Sequence, residues 1–129
     1  MSDKITSIKT IENKNKDKRY ACEHTFPELT ALCPPTALPD FYMIRLLYEP
    51  SEKIIELKSL KLYLLKYRNT RIYHEELINE ILEDIVKVVI PNWIFIELKV
   101  NVRGGISTKI RRFWSKDDGD DIKKAIKGI

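Results

Sequence analysis

Between Phe41 and Phe113 the spacing of apolar side chains changes twice, and that change limits the folds open to the chain. Phe41-Tyr-Met-Ile-Arg-Leu-Leu-Tyr48 is rich in aromatic and branched residues and reads as a strand. Glu49-Pro50-Ser51-Glu52 is a turn signal, and Lys53 to Leu57 gives a second strand, so a hairpin is expected there. Leu60, Tyr63, Leu64 and Tyr67 then fall at i, i+3, i+4 and i+7, one face of a helix that starts at Ser59 and breaks at Asn69-Thr70. A second helix starts near Tyr73, with Leu77, Ile81 and Ile85 in one apolar row and Ile78, Leu82 and Val86 in the next. Glu75, Glu76, Glu80, Glu83 and Asp84 cover its other side, and Pro91 stops it. From Trp93 alternation returns, and Ile94, Ile96, Leu98, Val100 and Val102 share one face of a strand. Arg103-Gly104-Gly105 reads as a turn and Ile106 to Phe113 as the last strand.

The order strand, strand, helix, helix, strand, strand predicts an α+β domain. Its two hairpins form an antiparallel four-stranded sheet with both helices on one face. Such a sheet has two open edges, which favours subunits joined edge to edge, closing into a barrel. With 129 residues, 43% of them apolar, the chain suits one domain with a real core. That domain is expected over 21–114, between a charged, loosely docked arm at 1–20 and a charged tail at 115–129. Residues 21–40 hold four of the six prolines and read as a stiff, extended loop.

The net charge of +4 suits anionic partners, whether cofactor phosphates or nucleic acid. No apolar run is long enough to cross a bilayer, and the polar N-terminus is unlike a secretory leader, so the cytoplasm is the expected compartment. Two cysteines, Cys22 and Cys33, do not make a disulfide framework and leave each free to be a thiolate.

Several residues have chemistry to offer. Cys33 lies in the proline-rich segment seven residues before Asp40, a nucleophile with a carboxyl within reach of a rigid loop. A buried structural cysteine and a turn aspartate would look the same. His74-Glu75 opens the second helix, where an acidic residue suits the helix dipole. A carboxylate there also matches two parallel N–H groups of a guanine-like base. Lys58, Lys61 and Arg68 lie close to one helical face, either solvated or holding phosphates. Cys22-Glu-His24 offers two ligands without a downstream pair, so no metal site is expected. No glycine-rich phosphate loop is present, and no basic segment interleaved with several aromatics marks an RNA-binding face.

Taken together these motifs resemble the QueF family of nitrile reductases. Its signature reads Glu, Ser or Leu, Lys, Ser or Ala, a hydrophobic residue, Lys, Leu or Tyr, then an aromatic. Glu56-Leu57-Lys58-Ser59-Leu60-Lys61-Leu62-Tyr63 matches it at every position. Leu32-Cys33-Pro34 with Pro39-Asp40-Phe41, His74-Glu75, and Arg103-Gly104-Gly105-Ile106 are similar to three further motifs in the same order. Ala37-Leu38 departs from the family's usual Gly-Gln, Leu29 from an aromatic, and Tyr73 from Phe.

The resemblance implies a tunnelling fold whose units form rings, with active sites between subunits and a homodecamer of two stacked pentamers. It implies NADPH-dependent reduction of 7-cyano-7-deazaguanine to 7-aminomethyl-7-deazaguanine, in biosynthesis of the tRNA nucleoside queuosine. Cys33 would add to the nitrile carbon as a thioimide, and Asp40 would supply protons. His74, Glu75 and the backbone around Ile55, Glu56 and Leu57 would bind the 7-deazaguanine. Lys58, Lys61, Arg103 and Gly104 would contact NADPH. A sister class shares the Cys and Asp but transfers ammonia to the nitrile on tRNA, making archaeosine, and lacks the signature. A purine- or pterin-binding module without catalysis is a third reading of the same fold. Only the tRNA-acting reading calls for direct nucleic-acid contact.

Overall fold

Alternation of period two builds the sheet, and two rows of branched residues on one helix cover it. The computed structural model describes residues 7–117. In chain order its elements are β1 (Thr10–Glu12), β2 (Cys22–Leu32), β3 (Pro39–Glu49), β4 (Lys53–Ile55), α1 (Leu57–Leu65), a 3-10 turn (Lys66–Asn69), α2 (His74–Val89), β5 (Trp93–Arg103) and β6 (Ile106–Ser115). The strands β2-β3-β5-β6, in that order, form an antiparallel sheet, and β1 pairs with β4 in a separate two-stranded one. Tyr42, Ile44, Leu46 and Tyr48 of β3 stand opposite Val100, Leu98, Ile96 and Ile94 of β5, and all eight are buried. Leu77, Ile81, Ile85, Ile78 and Leu82 of α2 are buried in the same core. Each such side chain contributes about 1.5–3 kcal/mol by leaving water, so this layer is the main source of stability. Helix α2 ends where Ile90 takes a left-handed conformation (φ 48°) ahead of Pro91.

The first hairpin differs from the expected one. The stretch read as an extended loop contains an 11-residue strand, β2, and the partner of β3 is β2 rather than Lys53–Leu57. The prolines allow this because of where they sit. Pro34 and Pro35 lie in the connecting loop, and Pro39 is the first residue of β3. Pro27 falls at a bulge, between the pairs Phe26↔Ile44 and Leu29↔Tyr42, on an edge strand where a missing N–H breaks no ladder. Lys53–Ile55 is strand, but it pairs with β1, and Leu57 already belongs to α1.

From Ser7 onward the expected arm is part of the fold. Ile8 and Asn13 are buried, Tyr20 donates to Asn13 (2.7 Å), and Arg19 clasps the buried Glu49 (2.8 and 2.9 Å). Residues 1–6, and the tail from 118 to 129, lie outside the described residues. Val102 does not share the buried face of β5. A bulge between Val100↔Thr108 and Arg103↔Ile106 turns it to solvent at 64% exposure. The turn itself is as expected, with Gly104 and Gly105 at φ 59° and 81°, the left-handed pair a two-residue hairpin needs.

Candidate active site

The loop that carries Cys33 is tied down at both ends. The Cys33 N–H donates to Leu38 O and the Ala37 N–H to Cys33 O, each at 2.8 Å. The last residue of β2, Leu32, donates to Thr70 O (2.9 Å) and accepts from the Ile72 N–H (3.1 Å). These bonds dock the cysteine loop against the lead-in to α2. Cys33 is half-buried and a free thiol.

Three strand and helix residues meet beside it. Asp40, second in β3, is buried, and its carboxylate accepts a hydrogen bond from the Arg103 guanidinium. Tyr42 points the same way two residues on, and its hydroxyl lies 2.8 Å from Nδ1 of His74, the first residue of α2. The Tyr42 phenol is pushed above the ordinary range, chiefly by burial and then by the nearby charges of Asp40 and Cys33, with Glu75 adding to them and Arg103 opposing. One phenol therefore feels four charged or ionisable neighbours besides the His74 it touches. Cys33, Asp40, His74, Glu75 and Arg103 are brought together.

Glu75 is not the helix cap. Glu76 takes that role, accepting from the Tyr73 N–H (3.3 Å). The Glu75 carboxylate is exposed and has no hydrogen-bond partner among the described residues. It is available to a ligand. Arg103, expected at cofactor phosphates, is held by Asp40 and by Pro39 O (3.4 Å). Gly104 is exposed in the turn that follows.

The signature residues lie elsewhere. Ile55 is buried and donates its N–H to the Tyr48 hydroxyl (2.8 Å), while Leu57 is exposed. Glu56 caps α1, accepting from the Ser59 N–H (2.8 Å) and the Lys58 N–H (3.1 Å), and the Ser59 bond above all holds its carboxyl below the ordinary range. Lys58 and Lys61 are exposed. Lys58 joins Lys9, Glu56, Ser59 and Leu62 around a recess of roughly 230 Å3. Sequence reading missed Lys9, hidden in a charge-rich segment, and Tyr42, which reads as one more apolar strand residue.

Two rulers separate the groups. Tyr48, at the signature end, is six residues along β3 from Tyr42, or roughly 20 Å at about 3.3 Å per residue. The path along α1 and its 3-10 turn gives a similar roughly 20 Å. Within one chain, Glu56 and Lys58 do not face Cys33.

A family model described as QueF-like protein matches residues 39–118. The chain is 43% identical over 104 residues to an NADPH-dependent 7-cyano-7-deazaguanine reductase of Prochlorococcus marinus, covering 81% of this chain and 77% of that one. It is 44% identical over 103 residues to the reductase of the same description from Anaeromyxobacter sp. (strain Fw109-5), covering 80% and 84%. Among solved structures, the archaeosine synthase QueF-Like in the apo form superposes with a TM-score of 0.64 at 20% identity, over 74% of this chain and 91% of that one.

Proposed function

The chain belongs to the QueF-like family, and from that premise we propose that it reduces the nitrile of 7-cyano-7-deazaguanine to the aminomethyl group with NADPH, through a covalent bond to Cys33. The observation that carries the proposal is the cluster at the Cys33 end of the sheet. A loop-held thiol lies there with a buried carboxylate, a histidine and an unpartnered glutamate.

A nitrile is a weak hydride acceptor. The Cys33 sulfur adds to its carbon, the proton passes to nitrogen, and the resulting thioimide is a polarised C=N. Asp40 is the acid that delivers protons as nitrogen takes on charge. Glu75 accepts the paired N–H groups of the base, and His74 stands beside it. The recess beside the signature fits a dinucleotide phosphate: Lys58 and Lys9 put two cations on it, with Lys61 further along α1. NADPH supplies the hydride when bound, and two equivalents with two protons account for the four electrons between nitrile and amine. Arg103 serves Asp40 rather than the cofactor.

The separation of the two groups supports assembly. We infer that copies of the chain join through the open edges β2 and β6, so that the Glu56–Lys58 end of one meets the Cys33 end of another. Exposed Phe41, Met43 and Phe113 on the uncovered sheet face suit such a contact. The family's two stacked pentamers are the arrangement proposed. Among the described residues no helix is long and apolar enough to cross a membrane, and the cytoplasm is the proposed compartment, in keeping with two free thiols.

Oxidation of NADPH on addition of 7-cyano-7-deazaguanine tests the reaction. About two NADPH per nitrile, lost in Cys33→Ala, is the expected result. A Cys33 adduct with no oxidation would favour ammonia transfer on tRNA instead, the reading that the intact Glu56–Tyr63 signature argues against.

A further inference from the structure

The chemistry of Cys33, Asp40, His74 and Glu75 leaves one buried group at the site unused. The Tyr42 side chain is almost fully buried, its Oη lies 2.8 Å from Nδ1 of His74, and the two rings meet edge to face with centroids 5.4 Å apart. Among the described residues, Nδ1 is the only hydrogen-bond partner of that hydroxyl. A buried O–H with one partner gives its proton to that partner or leaves it unsatisfied, at a real cost. If Nδ1 carried the proton and donated it to the phenol, the phenolic proton would have nowhere to go. Burial, with the charges of Asp40, Cys33 and Glu75 against that of Arg103, keeps the phenol protonated at any working pH. It is therefore a permanent donor.

We propose that Tyr42 is a positioning residue whose hydroxyl donates to Nδ1 of His74, holding the imidazole as the Nε2–H tautomer and presenting Nε2–H, from the first turn of α2, as a donor to the bound base. The pairing has a chemical logic. The neighbouring Glu75 carboxylate only accepts. A donor next to an acceptor matches the edge of a guanine-like base, which shows a carbonyl oxygen beside N–H groups. An imidazole without that bond would also populate the Nδ1–H tautomer, whose Nε2 offers a lone pair to that carbonyl. The tautomer assignment stands on the protein alone, whereas the contact with the base rests on the reductase reading above.

Two histidines, His24 and His74, make the test direct. In full-length protein labelled with 15N at histidine, His24→Gln identifies the His74 signals. The expected spectrum has Nδ1 of His74 unprotonated and Nε2 protonated at neutral pH without any substrate, and a tautomer mixture in Tyr42→Phe. In turnover, Tyr42→Phe raises KM for 7-cyano-7-deazaguanine about tenfold, the scale of one hydrogen bond, with kcat within about twofold. An Nδ1–H tautomer or a mixture in the wild type overturns the assignment, even if Tyr42→Phe folds poorly. An unchanged KM with the tautomer shifted overturns the contact with the base. Failure of the wild type to reduce the nitrile, with the tautomer as expected, would count against the reductase reading and leave the role of Tyr42 toward His74 intact.

Discussion

Arg103, the last residue of β5, donates a hydrogen bond to the carboxylate of Asp40, the second residue of β3. The carboxylate is buried and the guanidinium is half open to solvent. On the proposed reading this pair ties Arg103 to Asp40 rather than to the cofactor. In Arg103→Ala the buried carboxylate loses its charged partner, at a cost of about 1–3 kcal/mol in stability. With Asp40 as the proposed acid, kcat should fall about tenfold, while KM for NADPH stays within about twofold. Steady-state kinetics check this. A raised KM for NADPH at constant kcat would return Arg103 to the cofactor.

Ala37 sits at φ 60° in the cysteine loop, a left-handed conformation that costs an L-residue about 1–2 kcal/mol. The family's usual residue at this place is glycine. Ala37→Gly should relieve the strain against a smaller loss of chain entropy, for a net gain of about 0.5–1 kcal/mol. Thermal unfolding should show a rise of a few degrees. A fall would mean that the loop owes its shape to the alanine methyl.

Shared sites make a distinct prediction. Cys33→Ala and Lys58→Ala damage opposite ends of the chain, so each alone should be nearly inactive. If each site draws one end from each of two copies, co-refolded mixtures should recover activity, with roughly a quarter of sites intact at equal ratio. Sites built within single chains would recover nothing.

Four buried phenols are expected to set the alkaline limit. Burial first of all raises Tyr48 to about 12 and pushes Tyr42, Tyr63 and Tyr67 upward as well. An unfolded phenol loses its proton near 10. The stability these groups lend is complete below pH 10 and declines as pH rises past it, by about 1.4 kcal/mol per pH unit for each. Unfolding followed by circular dichroism should coincide with tyrosinate absorbance for these residues. Ionisation of all six tyrosines near pH 10 while the fold persists would contradict it.

The helices, β5 and the Gly104-Gly105 turn were legible because their signals are local. The two apolar rows of α2 and the alternation of Ile94, Ile96 and Leu98 require no partner to be read. Strand β2 was not, although Cys22, His24 and Phe26 alternate with Glu23 and Thr25. The bulge at Pro27-Glu28 shifts the phase before Leu29 and Ala31, and prolines on either side imitate a loop. The pairing of β4 with β1 joins Lys53 to Glu12 across forty residues of chain, and no local pattern reports it. The Cys33, Asp40, His74 and Glu75 cluster was legible through family motifs. Tyr42 became visible only once β3 and α2 were packed together, since its hydroxyl matters only opposite His74.

The covalent step is the central claim, and intact-mass measurement tests it most directly. Full-length protein incubated with 7-cyano-7-deazaguanine without NADPH should gain the mass of one substrate per chain, at Cys33 by peptide mapping, and Cys33→Ala should gain none. Adding NADPH should discharge the adduct and release 7-aminomethyl-7-deazaguanine. An unmodified chain that still consumes NADPH and makes the amine would contradict a mechanism through Cys33.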